Sequence, residues 1–409
     1  MRDPSKSTPE NIGFWSKLKK RVNMDEDQQL ALALEYGFHD DYDAALKILD
    51  DLMSLSFDSK LDDLYWTAIN LKARTLSMMD EFERSLEVWN HIIKTGQNTK
   101  KRLKLDSSDY GHIAYCHNEL GNYSDAVINY LKALDNFDEL ESDNIVTDEQ
   151  RNYLKSSLYA GLSGAYCRFD DEIISDYVDE KDKSITIEQQ KEIMAQKMRS
   201  AKCSTRDDLM NKAIEYADMA LKLAPDDVEA YIGKIIAFSK LNQHKEAILL
   251  CRKALEIGNE NAESDIRNEY GLNLQDLGAQ KFAIQQFQQI ILEDSDDDRA
   301  WYNLACCYAQ LDQKDFAINA LSTAKNLDPE GTHELMVDDE DLNNIRDMPE
   351  FQKMISRGPD YQWNNVFTTE GDIEDEALGW SVQKPSEPKS ISELFPAPPS
   401  EIEIDDDQN

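Results

Sequence analysis

Apolar residues along this chain recur as pairs of helical faces, and the pairs return about every 34 residues. The pattern is clearest near residue 301. Trp301, Leu304, Ala305 and Tyr308 fall at offsets 0, 3, 4 and 7, and Ala317, Leu321 and Ala324 at 16, 20 and 23. The first set shares one face of a helix and the second shares one face of another. Pro329, at offset 28, ends the second helix, because it lacks an amide hydrogen and its ring crowds the preceding turn. Ala305 and Ala317 are small enough for the two helices to approach, and Trp301 and Tyr308 are predicted to fill the space beside them. Four Ala-centred signatures, at Ala213, Ala247, Ala283 and Ala317, are spaced 34, 36 and 34 residues apart. Such a period predicts a solenoid of helical hairpins, each burying its apolar face against its neighbours.

These residues resemble the tetratricopeptide repeat (TPR), whose pattern is W-x2-L-G-x2-Y, then A-x3-F, then P. Other units match in part: Tyr231, Phe238, Ala247 and Ala254; Gly271, Leu274, Gly278, Ala283 and Phe287; and Tyr110, Ile113, Ala114, Gly121, Tyr123, Ala126, Tyr130 and Ala133. Two degenerate units come first, one with Leu32, Ala33, Tyr36, Tyr42, Ala45 and Leu49, the other with Ala73, Leu76, Phe82 and Trp89 and with Ser85 in place of Ala. One unit is split: its first helix carries Tyr159, Leu162, Ser163 and Tyr166, and its second carries Ala213, Ala217, Ala220 and Pro225. Within the intervening insert, Thr186 and Gln189 fit a capping box, followed by an apolar face of Ile193, Met194 and Met198.

The resemblance implies an all-α fold, a TPR-type solenoid wound as a right-handed superhelix, with seven units over residues 28–329. The expected organisation is a basic segment at 1–27, degenerate units at 28–95, an array at 108–329 with an insert at about 168–207, a capping helix at 330–358 and an acidic, disordered tail at 359–409. A solenoid end exposes an apolar face, and Leu342, Ile345 and Phe351 are the residues expected to cover it. Residues 370–409 hold twelve acidic residues, two lysines and five prolines and few large apolar ones, the composition of a disordered segment. One island there, Ile391–Pro396, has the character of a linear motif, and Leu394 and Phe395 are candidates to fold back into the array. Residues 14–22 are basic and amphipathic, fitting a cap on the first repeat or a membrane-surface helix.

Charge narrows the partner. The net charge of −37 excludes a nucleic-acid binder, which needs Lys and Arg against phosphates, and disfavours an anionic membrane surface. The six cysteines form no C-x-x-C pair and sit mostly at small-residue positions of predicted helices, so they are expected to be packing thiols in a reducing, cytoplasmic compartment. No phosphate loop, dinucleotide fingerprint, nucleophile elbow or H-E-x-x-H motif occurs. His112, Cys116 and His117 share a helix, but no further ligand pair lies near in sequence, and His112 and His117 are read as solvent-facing. The acidic run 293–298 lacks the Gly and Glu of a calcium loop and is read as a helix-capping turn. We therefore expect no catalysis, no cofactor and no metal.

Repeat arrays of this family present a groove lined by the first helix of each pair. The groove-facing offsets give Arg299, Tyr302, Asn303, Cys306 and Gln310 in the last unit, Asn268, Glu269, Leu272 and Gln275 in the unit before, and Lys240 in the one before that. Amide and guanidinium groups there suit an extended peptide, whose backbone needs donors and acceptors. The resemblance thus implies a non-catalytic scaffold for a protein or peptide partner. Two alternatives stand beside it: an accessory or regulatory subunit of an enzyme complex, and a membrane-peripheral adaptor held by residues 14–22. The clamp for chaperone C-terminal carboxylates is incomplete: Asn303 matches, but Asn268 stands where Lys is expected and Leu272 where Asn is expected. Partner identity and oligomeric state are not written in these residues.

Overall fold

A computed structural model describes residues 41–59, 62–96, 105–137, 147–178, 196–199 and 201–358, with isolated positions between 29 and 39. The basic segment, the capping box at Thr186, the loop at 100–104 and the tail lie outside the described residues. The chain is an all-α TPR-type solenoid and forms two compact units, one ending at Leu241 and the other beginning at Asn242. That division falls inside the array expected at 108–329, between the two helices of one repeat.

In the first unit the helices are α1 (Tyr42–Ser59), α2 (Asp62–Met78), α3 (Phe82–Gly96), α4 (Ser107–Glu119), α5 (Tyr123–Asp135), α6 (Asp148–Val178), α7 (Arg206–Leu223) and α8 (Val228–Lys240). The second holds α9 (His244–Ile257), α10 (Glu263–Asp276), α11 (Gln280–Glu293), α12 (Asp298–Gln310), α13 (Lys314–Leu327), α14 (Pro329–Asp338), a 3-10 helix (Glu340–Ile345) and α15 (Pro349–Ser356). Hairpin pairs pack as α2 on α3, α4 on α5, α6 on α7, α10 on α11 and α12 on α13.

Five of the turns that precede a second helix follow one rule. Asp80, Gly121, Asn242, Gly278 and Asp312 each stand two residues ahead of a second helix with φ between 56° and 77°. Glycine adopts this left-handed geometry without a Cβ clash, and Asn or Asp tolerates it. The next residue then donates back five positions: Glu81 to Leu76, Asn122 to His117, Ala279 to Leu274 and Gln313 to Tyr308, at 2.8–3.0 Å. These bonds satisfy carbonyls that the helix end would leave bare. Three first helices begin on an aspartate: Asp106 receives Asp109 N, Asp227 receives Ala230 N at 3.2 Å and Asp297 receives Ala300 N at 2.8 Å. The acidic run at 293–298 is therefore a capping turn.

The small residues lie where helices cross. Ala213, Ala247, Ala283 and Ala317 are completely buried, as is Ser85, whose hydroxyl donates to Ala73 O at 2.6 Å and so satisfies its polar atom inside the core. Gly271 is required by contact: a Cβ there would lie 2.5 Å from the Phe287 ring, which is itself buried. Trp301 departs from expectation. It is half-buried, and its indole donates to Ser295 O at 2.9 Å, tying α12 to the turn before it instead of filling the hairpin core.

The split unit pairs as read, α6 on α7, with Ser163 Oγ donating to Ala213 O at 2.8 Å. Its insert differs. Helix α6 runs on to Val178, and Met198, Ala201 and Cys203 pack with Tyr166, Leu209 and Ala213. The Tyr166 hydroxyl donates to Ala201 O at 3.0 Å.

The expected single capping helix is instead three short elements: α14, the 3-10 helix and α15. Pro329 both ends α13 and opens α14, the helix position where a missing amide hydrogen costs nothing. Leu342, Ile345 and Phe351 are buried as expected, joined by Met336 and Met354. Lys325 is buried beneath them and donates to Gly358 O at 2.9 Å.

Candidate functional site

The first helices α10 and α12 carry nine of the ten groove residues singled out from sequence. Asn268 and Asn303, one residue out of the 34-residue register, join directly, Asn303 Nδ2 donating to Asn268 Oδ1 at 3.0 Å. Gln275 is the penultimate residue of α10 and Gln310 the last of α12. Arg299 is exposed at 65% and lies 3.8 Å from Asp297 and 4.0 Å from Asp265. At that exposure these ion pairs contribute little. Lys240 belongs to the first unit, where its Nζ donates to Cys167 O at 3.0 Å.

An open row of donors was the expectation; the structure shows them in use. Asp341 of the 3-10 helix takes Gln275 Nε2 at 2.6 Å on one carboxylate oxygen and Gln310 Nε2 at 2.7 Å on the other. Tyr302 is buried, and its hydroxyl donates to Asp339 Oδ2 at 2.7 Å. The other Asp339 oxygen receives Asp341 N at 2.9 Å, closing the turn on itself. Asn344 Nδ2 reaches Ala309 O at 2.9 Å. Arg346 gathers the carbonyls of Met336, Val337 and Asp339 behind the turn.

Both glutamines are oriented from their other side. Gln275 Oε1 accepts the Cys307 thiol at 3.4 Å, and Gln310 Oε1 accepts Gln280 Nε2 at 3.1 Å. Each amide must therefore present its NH2 to Asp341. Burial raises the Asp341 pKa, and neighbouring Asp339 and Asp276 add to the shift against the hydrogen bond from Gln310. Burial likewise lifts the Tyr302 hydroxyl and the Cys306 thiol, so both remain protonated donors. Cys306 Sγ and the Asp339 and Asp341 carboxylates lie within 4.8 Å of one another, a grouping able to hold a cation. Protein donors already occupy those carboxylate oxygens, and we assign no metal there. Asp339, Asp341, Asn344 and Cys307 were missed in the sequence, where an acid-rich stretch carries no sign of which helix it will meet.

The six cysteines are all buried and none forms a disulfide. Burial raises the thiol pKa of Cys116, Cys251, Cys306 and Cys307, and takes Cys203 up to about 11.

The first unit carries a second polar cluster. Arg74 on α2 pairs with Asp109 on α4, both buried, and donates to Ser108 Oγ at 3.2 Å, while Asn70 Nδ2 donates to Asp109 Oδ1 at 2.9 Å. His112 packs beside it and is not the solvent-facing residue the register suggested. Burial, then the Arg74 charge, press its pKa from 6.5 down to about 3. The ring is neutral at physiological pH. Because the folded pKa lies below the unfolded one, the unfolded chain binds the extra proton and stability falls as pH drops from about 6.5 towards 3. Between pH 7 and 5 the urea midpoint should fall more in the wild type than in His112→Gln; parallel decline would show that His112 does not carry the effect.

Sequence models of the tetratricopeptide repeat match residues 211–262 and 298–330. No curated protein matches the chain. Among solved structures, a TPR protein of Thermus thermophilus is 15% identical, covers 69% of this chain and 98% of its own, and superposes with a TM-score of 0.35. YrrB, described as a TPR protein with an unusual peptide-binding site, is 20% identical over 48% of this chain and 91% of its own, with a TM-score of 0.31. The TPR2AB domain of yeast Sti1, solved in complex with pHSP90, is 16% identical over 81% and 97%, with a TM-score of 0.27. Among the described residues no helix is long and apolar enough to cross a membrane.

Proposed function

We infer, for a chain that belongs to the tetratricopeptide-repeat family, that it is a non-catalytic cytoplasmic scaffold binding a protein or peptide partner on the face formed by its first helices. One observation carries this reading. Amides of successive first helices meet there, Asn268 with Asn303 and Gln275 with Gln310 through a shared carboxylate. Donors brought together from successive first helices suit a segment lying across them. Arg299, Tyr302 and Asn268 extend this surface within the second unit; Lys240 is a separate candidate on the first unit.

The test is affinity capture from native lysate with the full chain and with a variant carrying Arg299→Glu, Asn303→Ala and Asn268→Ala. Loss of a stoichiometric partner at unchanged helicity is the expected result. Retention of every partner by the variant would move the binding surface elsewhere.

A further inference from the structure

The turn at 339–341 does more than close an apolar end. Capping needs Leu342 and Ile345, which are completely buried. It has no need of two carboxylates brought together at a partly buried place beside Asp276, with their mutual repulsion. Yet those carboxylates make the best-formed contacts of the segment: Asp341 is held at both oxygens by amides from two successive repeats, and Asp339 by a buried phenol. The donors are also aimed independently of the turn. Cys307 and Gln280 fix the two amides from behind, so their NH2 groups would converge on the same point if Asp341 left. Neutral donors converging on one point form a carboxylate-binding arrangement that needs no cation.

We propose that Gln275, Tyr302 and Gln310 form a carboxylate-reading subsite whose resident occupant is the chain's own Asp339 and Asp341, so that a partner must compete with this segment for it. The proposal rests on the reading of the first-helix face as the partner surface. It also specifies the competitor: a peptide with two carboxylates two residues apart, followed by an aliphatic residue, the pattern that Asp339, Asp341 and Leu342 themselves display. A tethered segment sits at a local concentration of order millimolar, which a free peptide of equal intrinsic affinity must exceed. The occupant is a different segment from the tail island at Leu394 and Phe395 that the sequence suggested.

The probe is a fluorescent synthetic peptide of residues 337–346, titrated into the full chain. A variant carrying Asp339→Ala, Asp341→Ala and Leu342→Ala should bind it at least about ten-fold more tightly than wild type, because its own segment no longer competes. Adding Gln275→Ala and Gln310→Ala should return the affinity to the wild-type level. Equal binding by wild type and the triple variant, with helicity unchanged, would overturn the proposal. If the triple variant loses helicity, the wild type decides: excess peptide should speed amide hydrogen exchange across 339–345, and unchanged exchange would overturn it. The two readings fail separately. Lysate capture indifferent to Arg299, Asn303 and Asn268, alongside the expected peptide results, removes the partner surface and keeps the subsite; the reverse pattern removes the subsite alone.

Discussion

Asp109→Ala is expected to destabilise the first unit by about 3–5 kcal/mol, the range for removing one member of a buried ion pair. Arg74 and Asp109 have side-chain exposures of 4% and 7%, so water cannot replace what is lost. The variant takes the hydrogen-bonded carboxylate from a guanidinium buried between α2 and α4, with Asp106 at 3.9 Å the nearest replacement, and takes from Asn70 the acceptor it uses. Most of the cost is the stranded charge, and this is separable. Arg74→Met combined with Asp109→Leu should recover much of the loss, because an apolar pair of similar volume avoids desolvating either ion. Urea denaturation followed by circular dichroism measures both. A double variant as unstable as Asp109→Ala would show that the packing around the pair, and not the unpaired charge, sets the cost.

Leu342→Ala should cost the second unit about 2–5 kcal/mol, the range for a buried leucine whose site cannot fully collapse. Leu342 has no exposed surface and lies within the short element that covers α12 and α13. The substitution should also loosen the acidic turn, because Leu342 follows Asp341 directly and that turn is held by Gln275 and Gln310. Hydrogen exchange across 339–345 should therefore accelerate more than exchange in α10 and α11. Uniform acceleration across the unit would mean that the turn opens only when the whole unit does.

What the sequence disclosed follows from how local each signal is. Ala213, Ala247, Ala283 and Ala317 could be read as crossing points because helix periodicity and side-chain size decide them together, and all four are buried. The capping turn at 293–298 was legible for the same reason, since a cap speaks to an amide three residues away. The cap residues Leu342, Ile345 and Phe351 were found from their apolar character amid polar neighbours. Asp339 and Asp341 were not, because their partners lie 37, 66 and 31 residues away and nothing in an acidic run specifies Tyr302, Gln275 or Gln310. His112 was misread for a related reason: the register placed it on an outward face, but Arg74 from the preceding hairpin covers that face. The insert was read as an interruption of the split unit from its lack of repeat pattern. Met198, Ala201 and Cys203 nevertheless return to the core, and a deletion of 168–207 would remove them along with the end of α6.

The buried cysteines have a practical consequence for spectroscopy. Maleimides and iodoacetamides react with the thiolate, and attack needs access. Cys116, Cys167, Cys203, Cys251, Cys306 and Cys307 are shielded by burial, most with thiols held protonated by it. One cysteine introduced on the exposed surface, at Glu340 for instance, becomes the preferred site for a spin label or fluorophore in the folded protein. The native thiols need not be replaced, and the reporter would sit on the acidic turn whose movement is in question.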